Sequence, residues 1–323
     1  MERHATGTGG GIAPVAPPRP WIAVVGATAS GKSALAIELA ERFGGEIVGT
    51  DSLQVYRGLD IGTAKPTLAE RARMPHHLID VAAPDESYSA GRYTGDARAV
   101  ISRLERAGRV PVLCGGTGLY FKALLRGLTP IPAIPDALRQ AVAERTEREG
   151  LAAAYAALEK ADPVSAARIH PHDTARILRA LEVFEATGEP LSAFRQRATF
   201  GGMPPHVLSV GIQWERATLY ERIGRRVQRM LAAGWVAEVR ELLAQGYGPE
   251  LKPLRSIGYR EVVEHLQGRR AESELAPAIA TRTRHYAKRQ LTWFRGQPDI
   301  FWAEPGQESG VVAKVEAFLE RTG

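Results

Sequence analysis

The chain has 323 residues, is 44% hydrophobic and 24% charged, and carries a formal net charge of +6 at pH 7. That composition excludes a disordered or collagen-like chain and leaves room for one large core or two domains. The lone cysteine, Cys114, excludes an intrachain disulfide and a cysteine-cluster zinc site, and no apolar stretch is long enough to span a bilayer.

Residues 1–19 are rich in glycine and proline with few apolar anchors, so a mobile tail is expected there. The tail lacks the continuous apolar core of a secretion signal, and the chain is expected in the cytoplasm without membrane attachment. Trp21–Val25 then reads as a buried strand, and Ser33–Phe43 as a helix with Leu35, Leu39 and Phe43 on one face. Between them Gly26, Ala27, Thr28, Ala29, Ser30, Gly31, Lys32 and Ser33 form a P-loop pattern: glycine, four residues, then glycine, lysine and serine. Such a turn presents backbone N–H groups at a helix N-terminus, where partial positive charge already sits. Lys32 adds a point charge for phosphate oxygens, and the Ser33 hydroxyl suits magnesium. A diphosphate or triphosphate is expected here.

Glu46–Gly49 reads as a second strand ending at Thr50-Asp51-Ser52, Gly91–Ala107 as a helix, and Arg109–Cys114 as a strand running into Gly115-Gly116-Thr117. Strand and helix in alternation predict a parallel sheet with right-handed crossovers and ligands at the strand C-termini. Three such ends converge: the P-loop, Asp51 and Thr117. Cys114, in an apolar run, reads as a buried thiol. His76 and His77 lack the partner spacing of a metal site, and Leu78–Val81 beside them reads as core.

Three prolines within Gly127–Pro135 mark a boundary, after which Asp136 to about Gly188 is helical throughout. Asp173 is the predicted N-cap of a helix with Ile177, Leu181 and Phe184 on its buried stripe, and Arg176 and Arg179 share another face. Gly201–Pro205 marks the return, Leu208–Ile212 reads as a strand, and long helices follow from Leu219. The resulting class is α/β: a P-loop NTPase-like parallel sheet flanked by helices, with an all-helical insertion. The predicted division is 20–130 with 200–323 as the core and 131–199 as the insertion.

Asp51 is the one well-placed acid. A P-loop kinase ordinarily needs a second carboxylate at a strand end, but the strand Arg109–Cys114 ends in Gly-Gly-Thr. A cradle with one acid suits a reaction in which diphosphate leaves and Asp51 takes a proton from the nucleophile. The competing role for Asp51 is to cap the next segment through the backbone of Leu53 or Gln54. On the helix around Tyr220–Met230, Arg222, Arg225 and Arg226 are either leaving-group clamps or a solvated face. Lys252–Arg295 holds ten Lys/Arg against four Glu, an excess equal to that of the whole chain, which suits a polyanionic partner. Within it, Arg255-Ser-Ile-Gly-Tyr-Arg260 offers guanidinium and aromatic groups suited to bases and phosphates.

The ordered set of segments Gly26–Ser33, Asp51–Tyr56, Asp60–Pro66, Gly115–Tyr120, Arg179–Val183, Arg255–Arg260 and Lys288–Arg295 resembles the bacterial tRNA dimethylallyltransferases, also called tRNA isopentenyltransferases, from about Ile22 to Phe301. The resemblance implies transfer of a dimethylallyl group from dimethylallyl diphosphate to N6 of the adenosine at position 37 of tRNA, with Mg2+. It implies Asp51 as general base, Arg226 as leaving-group clamp, Thr117 near the reacting centre, and the P-loop, with Thr28, Lys32 and Ser33 foremost, as diphosphate site. It implies tRNA contacts by Asp51, Ser52, Leu53 and Gln54, by Ala175, Arg176, Ile177, Leu178 and Arg179, and by Arg255, Ser256, Ile257, Gly258, Tyr259 and Arg260. Nothing in the sequence demands an oligomer, so a monomer meeting the anticodon stem-loop is expected. Two other classes compete with this reading: a small-molecule kinase, which lacks its second acid, and a noncatalytic RNA-binding protein, which leaves the P-loop and Asp51 idle.

Overall fold

A computed structural model of the chain describes residues 19–198, 204, 206–297 and 299–322. The expected tail, apart from Arg19, and the Gly201–Pro205 turn, apart from Pro204, lie outside the described residues. The chain divides into two compact units, Met1–Leu124 with Met203–Gly323, and Leu125–Gly202. The sequence suggested 130/131 and 199/200 for those divisions.

The first unit is built on six strands: β1 (Trp21–Val25), β2 (Gly45–Thr50), β3 (His76–His77), β4 (Val110–Gly115), β5 (Val207–Ile212) and β6 (Ile300–Ala303). They lie in the order β3-β2-β4-β1-β5-β6, and every pairing is parallel. Strands covered on both faces read as continuous apolar runs, as Ile22-Ala-Val-Val25 does; Ile22, Ala23 and Val24 are fully buried. On one face Leu35, Leu39, Val311 and Val315, from the helices Lys32–Arg42 and Glu308–Thr322, pack with Ile22, Val24, Ile47 and Val112. The Ala90–Arg106 helix begins at Ser89, whose hydroxyl accepts the Arg92 N–H at 3.1 Å, and buries Tyr93, Ala97, Ile101 and Leu104 at helical spacing.

The register places the site. Val25 and Thr50 both pair with Gly115, so the segments that follow β1, β2 and β4 leave the sheet at one level. Two strands depart from expectation. His76 and His77 form β3, where the His76 ring meets the Met74 carbonyl and the His77 ring meets Glu46. The C-terminal third, predicted as helices, also holds β6 at the sheet edge.

The second unit consists of helices Asp136–Glu149, Leu151–Ala161, Pro163–Ala166, Thr174–Thr187 and Leu191–Arg197 around Val142, Leu158, Ile177, Leu181 and Leu191. Asp173 caps its helix as predicted, accepting the Arg176 N–H at 3.2 Å. The predicted stripe needs one correction: Val183 is fully buried while Phe184 is only half-buried, the helix being rotated toward Ala180 and Val183.

Candidate active site

The P-loop backbone takes left-handed conformations at three positions. Gly26, Ala29 and Gly31 have φ of 144°, 64° and 97°, and Gly31 is the N-cap of the Lys32–Arg42 helix. Three donors hold the carbonyls: Arg222 Nε reaches Ala29 O at 2.9 Å, Trp214 Nε1 reaches Ser30 O at 2.8 Å, and Lys32 Nζ reaches Ala27 O at 3.3 Å. The Arg222 guanidinium also stacks 4.1 Å above the Trp214 ring.

Beside this turn lies a cavity of about 370 Å3 lined by Ala29, Gly31, Lys32 and Ser33 from the loop. Its far wall is Arg222, Arg225, Arg226 and Arg229, which the helix Arg216–Ala232 brings to one face at spacings of three and four. Among the described residues no carboxylate lines it. Burial pushes Lys32 below the usual lysine range, with Arg226 adding to that and Cys114 and Asp51 opposing it. Burial likewise lowers Arg226, partly offset by Asp51. Both cations gain from an anion.

A second cavity, of about 400 Å3, shares Arg226 with the first. Its apolar wall includes Ile223, Val227, Met230, Trp235 and Ile279, and its polar wall includes Thr28, Asp51 and Tyr286. Lys252, Arg255 and Arg289 also line it. Asp51 divides its oxygens: Oδ1 accepts the Leu53 N–H at 2.9 Å and the Gln54 N–H at 3.4 Å, while Oδ2 takes no hydrogen bond among the described residues. Capping and proton acceptance are thus open to the same carboxylate, one oxygen each.

Other predicted residues fall differently. The Thr28 N–H is engaged by Gln290 Oε1 at 2.9 Å, so it is not free for diphosphate, and Thr28 lines the larger cavity. Gly26, Ala27 and Ser30 shape the turn without lining the cationic cavity. Ser33 is exposed and lines it. Thr117 lines neither cavity: its hydroxyl accepts the Ser52 N–H at 3.0 Å and fixes the chain after Asp51. Cys114 is only partly exposed, its thiol pushed up to about 11 by burial behind Lys32.

Of the expected RNA contacts, Ser52, Leu53, Arg255, Ser256 and Ile257 line the larger cavity. The Gln54 amide instead donates to the Thr63 and Ala64 carbonyls, 3.1 Å each. Two of the expected contact residues have side chains placed in the core: Ile177 and Tyr259 are fully buried. Tyr259 meets the Trp235 ring edge-on and donates its hydroxyl to Glu238 at 2.6 Å, so no face is left for a base. Gly258, at φ 89°, lies against Trp235 so closely that a Cβ would sit 1.9 Å from the ring. Arg260 is exposed and pairs with Glu264. On the insertion Ala175 and Arg176 are exposed, and Leu178 and Arg179 are half-buried.

Two positioning residues were missed. Gln290, 6% exposed, bridges the P-loop and the Gly-Gly-Thr-Gly turn, its amide nitrogen donating to Gly116 O at 2.9 Å. A Cβ on Gly116 would lie 2.2 Å from that nitrogen, which is why the turn needs glycine there. Glu238 receives the backbone N–H groups of Asp60, Ile61 and Gly62 at 2.9, 2.6 and 3.3 Å together with the Tyr259 hydroxyl. It fastens the loop carrying Gly62 and Thr63, both cavity residues, to the helix Trp235–Ala244.

Comparison with known proteins follows the same outline. A family model described as IPP transferase matches residues 54–297, and one described as Isopentenyl transferase matches 21–81. The tRNA dimethylallyltransferase of Geobacter metallireducens is 49% identical over 298 residues, 92% of this chain and 96% of that protein. The crystal structure of the full-length tRNA isopentenylpyrophosphate transferase from Bacillus halodurans is 34% identical with a TM-score of 0.69, covering 94% of this chain and 98% of that one. Crystallographic snapshots of a eukaryotic dimethylallyltransferase acting on tRNA give 27% identity and a TM-score of 0.79 over 94% of this chain and 80% of that one.

Proposed function

The chain belongs to the IPP transferase family, and from that premise we propose that it transfers the dimethylallyl group of dimethylallyl diphosphate to N6 of the adenosine at position 37 of tRNA, releasing diphosphate. The observation that carries this reading is the pair of cavities meeting at Arg226, one cationic, the other part apolar with Asp51 in its wall. An allylic diphosphate has the same division, a polyanion joined to a small apolar group. A cationic wall without a carboxylate among the described residues supports diphosphate departure over the second acidic metal site of a kinase.

The adenine amine is a poor nucleophile because its lone pair is delocalised into the ring. The allylic carbon compensates, since developing positive charge there is resonance-stabilised. As the N6–carbon bond forms, the carbon–oxygen bond to diphosphate breaks and the amine proton passes to Asp51 Oδ2. Lys32 and the four arginines receive the charge that develops on the leaving oxygen. Thr117 and the Leu53 N–H hold Asp51 and its neighbours in place, so orientation is set before reaction. The adenine must leave its stack, at about a few kcal/mol. Lys252, Arg255 and Arg289 supply phosphate contacts that offset this cost.

Magnesium fits the donor chemistry: the exposed Ser33 hydroxyl lines the cationic cavity, and Mg2+ ordinarily combines few protein ligands with phosphate oxygens and water. Ser33 would hold it, and the ion would supply further neutralisation of the diphosphate. The test is mass spectrometry of nucleosides from unmodified tRNA incubated with the protein, magnesium and dimethylallyl diphosphate. N6-dimethylallyladenosine is expected, and its absence while tRNA still binds would reject the donor.

A further inference from the structure

The insertion carries eight arginines between Asp136 and Arg197. Six are paired: Arg139 with Asp136, Arg145 with Glu185, Arg148 with Glu149, Arg176 with Asp173, Arg179 with Glu182 and Arg197 with Glu189. Among the described residues the guanidinium groups of the other two, Arg168 and Arg195, have no ion pair, hydrogen bond or ring contact. Both line one cavity of about 120 Å3, together with Ser165, Ser192 and Gln196.

A buried acid builds this cavity. Asp162 is fully buried, and its two oxygens accept the backbone N–H groups of Ser165 and Ser192, each at 2.9 Å. That fork draws the Pro163–Ala166 turn against the Leu191–Arg197 helix, and with them Arg168 and Arg195. Burial alone would raise the Asp162 carboxyl, but the hydrogen bonds from Ser165 and Ser192 outweigh it and keep the group low. The Ser165 hydroxyl, 1% exposed beside that carboxylate, completes no hydrogen bond of its own. Among its described lining residues the cavity therefore presents two guanidiniums and no carboxylate, the nearby Asp162 being buried with its oxygens already engaged.

Exposed arginines are ordinarily solvated, and an isolated pair would mean little. Here, among the described residues, the unit pairs its other arginines and leaves without a partner the two that converge on a polar cavity. Guanidinium forks and hydroxyls are the donors that recognise tetrahedral oxyanions. We propose that this cavity is an oxyanion site and that its ligand is a phosphodiester of the tRNA backbone. The site itself is independent of the transfer chemistry, whereas RNA as the source of the phosphate rests on the proposed function.

The experiment uses the full chain with Arg168→Gln and Arg195→Gln, singly and together, and the paired Lys replacements as charge-keeping controls. Affinity for unmodified tRNA is measured over a roughly fourfold range of salt. The double Gln variant should bind about tenfold more weakly, with the salt slope reduced by about one. Turnover at saturating tRNA should be unchanged, and the Lys pair should keep most of the affinity. In a second arm, inorganic phosphate is titrated while the Arg Nε–H resonances are followed by NMR. Equal tRNA affinity and slope in wild type and double variant overturn the RNA assignment, even where phosphate still shifts those resonances. No phosphate response and no tRNA effect overturn the site. A wild-type chain that fails to bind tRNA counts against the proposed function, and the phosphate arm then still decides the site.

Discussion

In Asp51→Asn the side chain keeps its shape and the oxygen that accepts the Leu53 and Gln54 N–H groups, but the other terminus becomes an NH2 that cannot take a proton. Loss of a positioned general base lowers turnover by about 10²–10⁴, equivalent to about 2.7–5.5 kcal/mol of barrier. The neighbouring cations sharpen the expectation. Asp51 opposes the lowering of both Lys32 and Arg226, so its neutralisation removes a nearby negative charge but also pushes both cations further down, and donor binding should change little. Asp51→Ala removes the cap as well, exposing N–H groups held at 2.9 and 3.4 Å, and should cost about a further 1 kcal/mol of stability. In a protein of this size that lowers Tm by about 1–2 °C. Rapid-quench single turnover with saturating donor and tRNA measures the first effect, and thermal melting the second. Turnover within threefold of wild type in Asp51→Asn would remove the carboxylate from proton transfer. Equal Tm in the Asn and Ala variants would remove the cap.

Arg226→Gln should lower the single-turnover rate by about 10²–10³ and weaken donor binding, while tRNA affinity, read by filter binding, stays within a few-fold. The Lys32 amine sits below its usual range when free, and a bound diphosphate raises it, so binding takes up a proton between the two values. Diphosphate affinity should therefore be full below the free value and fall as pH rises past it, by at most about tenfold per pH unit. Calorimetry in buffers of different ionisation enthalpy detects that proton, and its absence would show that Lys32 binds fully charged. Glu238→Gln places an NH2 among three backbone donors and should destabilise the fold by about 2 kcal/mol, seen as a shifted denaturation midpoint. It should also raise the KM for tRNA more than it lowers kcat, because Gly62 and Thr63 line the acceptor cavity; an unchanged KM would make the clamp purely structural.

The parallel sheet was readable because its central strands are continuous apolar runs followed by turn residues, and Asp51 was readable because it closes such a run. The two-residue β3 and the four-residue β6 are too short for a periodicity of their own, and each exists through one neighbouring strand. Glu238 looked like any acid on a helix surface, since the N–H groups it receives lie more than 170 residues earlier in the chain. Gln290 was hidden for the same reason, its partners at Thr28 and Gly116 being 262 and 174 residues away. Tyr259 misled because an aromatic between two arginines reads as a stacking surface, whereas Gly258 lets it turn inward onto Trp235.

β1 lies between β4 and β5, with partners drawn from residues 112–115 and 207–211. The phosphate cradle thus hangs from the strand whose hydrogen bonds depend on the most distant parts of the chain, and it cannot mature before both neighbours have docked. Amides of Ala23 and Val24 should exchange with solvent only when the whole sheet opens. A diphosphate at about a hundred times its Kd would disfavour that opening by about 2.7 kcal/mol. Ligand occupancy and resistance to global unfolding are, in this chain, readings of the same equilibrium.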